Sequence, residues 1–188
     1  MYAFLLSTGV IFVAELGDKS QLMAMTFATR FRMRQVLLGI TLATALVHLG
    51  SVAIGAAIGT SLPTDAIAVI AGLAFLGFAA WTLRGDELDD EEREKAHRST
   101  ASAVLAVGVA FFLAELGDKT MLATVTLATR EGWFGTWLGS TLGMVAADAL
   151  AIVVGAMLGR HLPERVIKYG AAAAFAVFGV LLIVQGLR

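Results

Sequence analysis

The six residues Ala-Glu-Leu-Gly-Asp-Lys occur twice in this chain of 188, at 14–19 and again at 114–119. Each copy lies in the middle of a segment that is otherwise apolar for most of a bilayer thickness. On a continuous helix Glu15, Asp18 and Lys19 fall at i, i+3 and i+4 and project from one face, as do Glu115, Asp118 and Lys119. A charge at the centre of a spanning helix costs roughly 2.5 to 3.5 kcal/mol, so three cost roughly 8 to 10. About ten large apolar residues in the same helix return only roughly 3 to 6 kcal/mol. Neither segment can therefore face lipid comfortably. Each needs a polar partner, and the other copy is the obvious one.

Composition sets the class. With 58% hydrophobic residues, 15% charged residues and a mean hydropathy of +0.81, the chain is an integral membrane protein and not a soluble domain. The net charge of -1 leaves no basic surplus for nucleic acid. The absence of cysteine excludes disulfides, iron-sulfur clusters and thiolate metal sites. Residues 1–14 are apolar without a basic region before them or a small-residue cleavage site after them, so they read as a first span and not as a removed signal peptide.

Six apolar segments follow one another at about 2–29, 35–60, 66–84, 101–129, 133–159 and 166–187. Each reaches the roughly 20 residues needed to span. The first and fourth would be roughly 40 Å long as straight helices, so they must tilt, protrude or break, and Gly17 and Gly117 are the candidate breaks. The halves align at a constant offset of 100 without a gap: Thr26, Ala28, Thr29 and Arg30 recur as Thr126, Ala128, Thr129 and Arg130, and Gly39, Thr41, Leu42, Gly55, Gly59, Leu62 and Pro63 recur as Gly139, Thr141, Leu142, Gly155, Gly159, Leu162 and Pro163. This is a duplicated three-helix unit. Because three is odd, the second copy enters the membrane from the opposite side. The expected fold is all-α, six transmembrane helices as two inverted three-helix repeats: 1–84, a charged linker at 85–100, and 101–188.

Lys and Arg in the connections orient the chain. Arg30, Arg32, Arg34, Arg84, Arg93, Lys95, Arg98, Arg160, Arg165 and Lys168 lie on one side, against Arg130 and Arg188 on the other. That bias places the first, third and fifth loops in the cytoplasm and both termini outside. The acidic linker reads as a solvated cytoplasmic loop.

If the first and fourth helices cross near their centres, Glu15, Asp18, Glu115 and Asp118 form a cluster of four carboxylates. Carboxylate oxygen suits Mg²⁺, Ca²⁺ and Mn²⁺, whereas copper and zinc recruit sulfur or several imidazoles. Four carboxylates with Lys19 and Lys119 sum to -2 when all are ionised, which matches one divalent cation. Four acids at close quarters in a low dielectric cannot all stay ionised without it, so protons and the cation compete for the same oxygens, the physical requirement for antiport. The Glu pair is the expected primary set of metal ligands and proton acceptors. The Asp pair serves as further ligands or as partners of the lysines. By continuous-helix angle Thr26 and Thr126 lie close to the Glu face, and Ser20 and Thr120 less directly. The plainer alternative is that each triplet is an ion-pair network pinning two helices together.

Asp148 and His48 occupy equivalent positions in the fifth and second spans. An intramembrane Asp is a candidate fifth ligand or proton relay, and His48 a proton acceptor near neutral pH; a hydrogen bond across a helix interface is the bland role for either. The glycine ladders 55/59, 155/159 and 135/139/143 read as close helix packing. Met23, Met25 and Met121 read as packing residues unless a thioether faces the site, where it favours Mn²⁺ over Ca²⁺.

Glu15-Leu16-Gly17-Asp18-Lys19-Ser20 and Glu115-Leu116-Gly117-Asp118-Lys119-Thr120 resemble the paired Glu-x-Gly-Asp-Lys-Ser/Thr signature of the transmembrane-protein-165, or Gdt-type, cation exchangers. That family includes Golgi and chloroplast members and bacterial manganese exporters of the MneA type. The resemblance covers essentially the whole chain and implies a cation/H⁺ antiporter, not an enzyme, for Mn²⁺ and in second place Ca²⁺. The acids of both motifs would bind the ion, and no resident cofactor is implied. The short N-terminus resembles the bacterial members and points to an inner or plasma membrane. The rival readings are an exporter of a small organic cation or amino acid, an intramembrane hydrolase using paired carboxylates, and a structural membrane protein without flux. The near-identity of the two motifs argues against the hydrolase, whose acid and base must differ.

Overall fold

The computed structural model describes residues 1–59, 63–84, 103–158 and 164–187. The described residues form eight helices: α1 (Tyr2–Glu15), α2 (Lys19–Ala28), α3 (Met33–Gly59), α4 (Thr64–Arg84), α5 (Ala103–Glu115), α6 (Lys119–Ala128), α7 (Trp133–Leu158) and α8 (Glu164–Gly186). The offset of 100 seen in the sequence is therefore an offset of four helices in the fold. The linker at 85–100, Gly159 and Pro163 lie outside the described residues.

The first and fourth apolar segments, expected as single helices or broken ones, are broken. Gly17 has φ 77° and Gly117 φ 81°, in the left-handed region where a side chain costs roughly 1–2 kcal/mol. Helix α1 ends at Glu15, and Asp18 caps α2, its carboxylate accepting from the Ser20 amide at 3.5 Å. Asp118 takes the same position before α6, with extended backbone. The motif acids consequently do not share one helical face: Glu15 and Glu115 close one helix, and Asp18 and Asp118 open the next. Among the described residues, 33–59, 65–84 and 133–157 are long and apolar enough to cross a membrane, and shorter apolar stretches occur at 2–15, 103–115 and 172–186.

The halves interlock. Helix α1 packs on α7 and α5 on α3, so the first helix of each half leans on the long helix of the other; α3 also packs on α6 and α7, α2 on α7, and α4 on α8. Residues at equivalent positions meet across this arrangement. The Thr44 hydroxyl lies 3.3 Å from the Met144 sulfur, and the rings of Phe75 and Phe175 are 5.8 Å apart in an aromatic cluster with Phe78 and Phe178. Directions can be read from the glycines. Gly186 lies against Asp65 while Gly72 lies against Gly179 and Ile183, so α4 and α8 are antiparallel; Gly135, Gly139 and Gly143 climb α1 from Ala3 to Phe12, so α1 and α7 are parallel.

The ladders at 55/59 and 135/139/143 are close-packing surfaces. A Cβ on Gly139 would collide with the Phe4 carbonyl, and one on Gly55 with the Val125 carbonyl and the Ala128 methyl. Because backbone cannot yield as a side-chain tip can, Gly139→Ala should destabilise the fold by about 1–3 kcal/mol. Gly9 has nothing within 4 Å of its Cβ direction and sits inside α1, so Gly9→Ala should be neutral or stabilising by up to about 1 kcal/mol. Unfolding of the two variants in mild detergent checks the contrast, and equal effects would contradict the packing described.

Candidate functional site

The two helix breaks face one another inside the bundle. Glu15, Asp18, Glu115, Asp118, Lys119 and Asp148 are each at most 4% exposed, whereas Lys19 is half-buried. Glu15 lies within range of the charges of Glu115, Asp18, Asp148 and Lys119, and Glu115 within range of Asp118, Asp18 and Asp148. Acids from both motifs and from α7 therefore share one buried region. An ion pair crosses between the halves: the Lys119 ammonium contacts Asp18 Oδ1. The lysine of the second motif stands against the aspartate of the first, the partner role that the sequence offered the Asp pair beside that of further ligands.

Each motif glutamate is held by a hydroxyl from the helix after its own break. The Ser20 Oγ donates to Glu15 Oε1, and Thr120 Oγ1 donates to Glu115 Oε2 at 2.8 Å. The second oxygens, Glu15 Oε2 and Glu115 Oε1, are buried with no hydrogen-bond partner among the described residues, as are both oxygens of Asp148. Such oxygens are costly to bury and suit a hard cation or a proton. Among the described residues, no three Asp, Glu or His side chains converge closely enough to hold one ion. The acids are gathered but not closed into the four-carboxylate cage expected from the sequence, since Lys119 stands against Asp18 and the hydroxyls hold one oxygen of each glutamate.

Thr26 and Thr126 are not recruited. Their hydroxyls donate to the carbonyls of Leu22 and Leu122, each at 2.8 Å, within their own helices. Thr126 borders a separate cavity of about 310 Å³ lined also by Tyr2, Arg130, Glu131 and Gln185. The angle that placed these threonines over the glutamates assumed an unbroken helix. Gly17 and Gly117 reset the phase, and the same reset brings Ser20 and Thr120 onto the carboxylates. His48 is fully buried with neither ring nitrogen bonded among the described residues. Met23 is buried in the core, Met25 packs against Gly155, and the Met121 sulfur accepts from the Gly117 amide at 3.1 Å.

One site residue escaped the sequence reading. Gln21 is 3% exposed; its Oε1 accepts from the Gly17 amide at 2.9 Å, and its Nε2 donates to the Ala147 carbonyl of α7 at 3.1 Å. The available signal was a carboxamide inside an apolar helix four residues beyond the motif glycine.

An apolar helical bundle with facing acidic breaks, crossed by an ion pair, is built as a membrane transporter of small cations. The chain belongs to the divalent cation/proton antiporter GDT1 family, whose profile matches residues 3–90 and 103–188. It is 31% identical over 183 residues to a Vibrio cholerae protein named "Putative manganese exporter", covering 96% of this chain and 90% of that one. It is 29% identical to the GDT1-like protein sll0615 of Synechocystis, with 95% of each chain covered. It is 34% identical to the chloroplastic GDT1-like protein 2 of rice, of which it spans 58% while 91% of this chain is matched. No solved structure matches the chain.

Proposed function

We propose that this protein is a secondary-active antiporter that exports Mn²⁺ from the cytoplasm in exchange for protons. The observation that carries the reading is the pair of buried, unbonded glutamate oxygens, Glu15 Oε2 and Glu115 Oε1, one from each half, in a region that already holds Asp18, Asp148 and a cation, Lys119. A divalent ion loads between the glutamates as Lys119 withdraws from Asp18, with Asp118 and Asp148 completing an oxygen shell. When the ion leaves, protons take its place on the same carboxylates. Manganese over calcium is favoured by the name carried by the Vibrio cholerae relative.

The antiparallel α4 and α8, the reciprocal packing of α1 on α7 and α5 on α3, and the contact between equivalent residues support two inverted repeats spanning six times, α1–α2 and α5–α6 each acting as one interrupted span. The Lys/Arg bias supports an orientation with both termini outside and the 85–100 linker in the cytoplasm. The purified protein in liposomes tests the reading: an imposed Mn²⁺ gradient should drive proton movement, reported by a trapped pH dye. Exchange driven by Ca²⁺ but not Mn²⁺ would correct the ion, and no proton movement with either would overturn the mechanism.

The hydroxyl supports give a graded check. Thr120→Val keeps the side-chain volume but removes the donor to Glu115, a change of about 1–3 kcal/mol when a buried acceptor loses its partner. The Mn²⁺ concentration for half-maximal exchange should shift accordingly, while Thr126→Val should leave it within twofold of wild type. A larger shift from Thr126→Val would contradict the assignment.

A further inference from the structure

The two motifs are nearly identical in sequence, yet they are not anchored alike. In the first half Gln21 bridges two elements: it accepts from the Gly17 amide in the break at 2.9 Å and donates to the Ala147 carbonyl at 3.1 Å, one residue before Asp148 on α7. The equivalent residue in the second half is Met121, whose sulfur accepts from the Gly117 amide at 3.1 Å. A thioether has no N–H, so it cannot continue the bridge to α3. The carbonyl that would receive it, Val47, one residue before His48, is instead taken by the Ser51 hydroxyl at 2.8 Å. Exposure follows the same asymmetry: Leu16 in the first break is half-buried and Leu116 in the second is exposed.

Resting on the antiport reading, we propose that Gln21 is a positioning residue that ties the first half-site to α7 beside Asp148, so that rearrangement on ion binding is confined to the second half-site. Glu15, Asp18 and Asp148 then form a pre-set platform, and Glu115, Asp118 and Lys119 are the groups that move to close it. The physical basis is that a buried amide with both ends bonded holds a left-handed turn at a defined height on its neighbour, and a small displacement of a ligand strongly weakens a site that needs its oxygens at one point.

The chain has no cysteine, so single cysteines report on each break without background labelling. Gln21→Met copies the residue of the second half and removes the donor to Ala147. It should raise the Mn²⁺ concentration for half-maximal exchange in liposomes roughly fivefold to tenfold, as for one buried hydrogen bond lost, with the maximal rate changed much less. Thiol labelling of Leu16→Cys should be insensitive to Mn²⁺ when Gln21 is present and become sensitive with Gln21→Met, whereas Leu116→Cys should respond to Mn²⁺ in both backgrounds. An unchanged half-maximal concentration, or a Leu16→Cys label that responds to Mn²⁺ with Gln21 intact, overturns the proposal. Should Gln21→Met not yield folded protein, the converse pair Met121→Gln with Ser51→Ala frees the Val47 carbonyl and supplies the missing donor. That pair should suppress the Mn²⁺ response of Leu116→Cys, and a full response there overturns the proposal equally. Failure of the antiport reading itself looks different: wild-type protein would then move no protons with Mn²⁺ at all.

Discussion

Glu15→Gln and Glu115→Gln should each abolish Mn²⁺-driven proton movement in liposomes. Glutamine keeps the volume of the side chain, and its carbonyl still accepts from Ser20 or Thr120, so the break retains its shape. What it loses is the negative charge that the proposed mechanism uses to bind the cation and the ability to take up a proton in its place. Removing a group that merely supports a metal ligand costs roughly tenfold to a hundredfold, so removing a ligand that is also the proton carrier should cost more than roughly a hundredfold. Both variants should stay folded and monodisperse. The two should fail equally, because neither half can complete the shell alone. Wild-type exchange in either variant sinks the assignment of that glutamate, and wild-type exchange in both removes the shared site.

Lys119→Met should be the most destabilising single change in the motifs. The pair that Lys119 makes with Asp18 joins the two halves at a place where the two residues are 2% and 1% exposed. Deleting one member of a buried pair leaves the other charge without its ion-pair partner, a loss of about 3–5 kcal/mol. Replacing both members by uncharged groups of similar size avoids that penalty. The double variant Asp18→Asn with Lys119→Met should therefore recover most of the stability while remaining inactive, since one carboxylate is gone. Unfolding by titration with a denaturing detergent, followed by circular dichroism, compares the three proteins. If Lys119→Met unfolds with the wild type, the pair carries no structural weight; if the double variant is no better than the single, the charge left behind is not the cause.

The duplication, the positions of the acids and, to within about two residues, the outer ends of the six apolar segments were legible in the residues, because hydropathy over 20 residues and a repeat at constant offset depend on composition and order alone. Breaks at the motif glycines were legible as a possibility and no more: two glycines without proline are compatible with a continuous helix, and only a backbone with φ 77° and φ 81° decides the matter. That one decision moved the supporting hydroxyls. With the helix unbroken, Thr26 and Thr126 sit over the glutamates; with it broken, Ser20 and Thr120 do. Gln21 was hidden for a related reason, since its bonds to Gly17 and Ala147 require a turn and a neighbour that no periodicity reveals.

By itself the order of residues determined that this chain is an apolar, twice-repeated helical protein whose two acidic hexapeptides need a partner away from lipid, because the cost of charge in hydrocarbon admits little else. Which atoms become partners was a tertiary matter. Lys119 met Asp18 of the other half, the glutamates were left with one oxygen bonded and one without a hydrogen-bond partner among the described residues, and the halves were anchored unequally through Gln21 and Met121. Those outcomes depend on how two broken helices are set against α3 and α7, at distances of a few ångströms, and pairing at that scale is decided by packing and not by spacing along the chain.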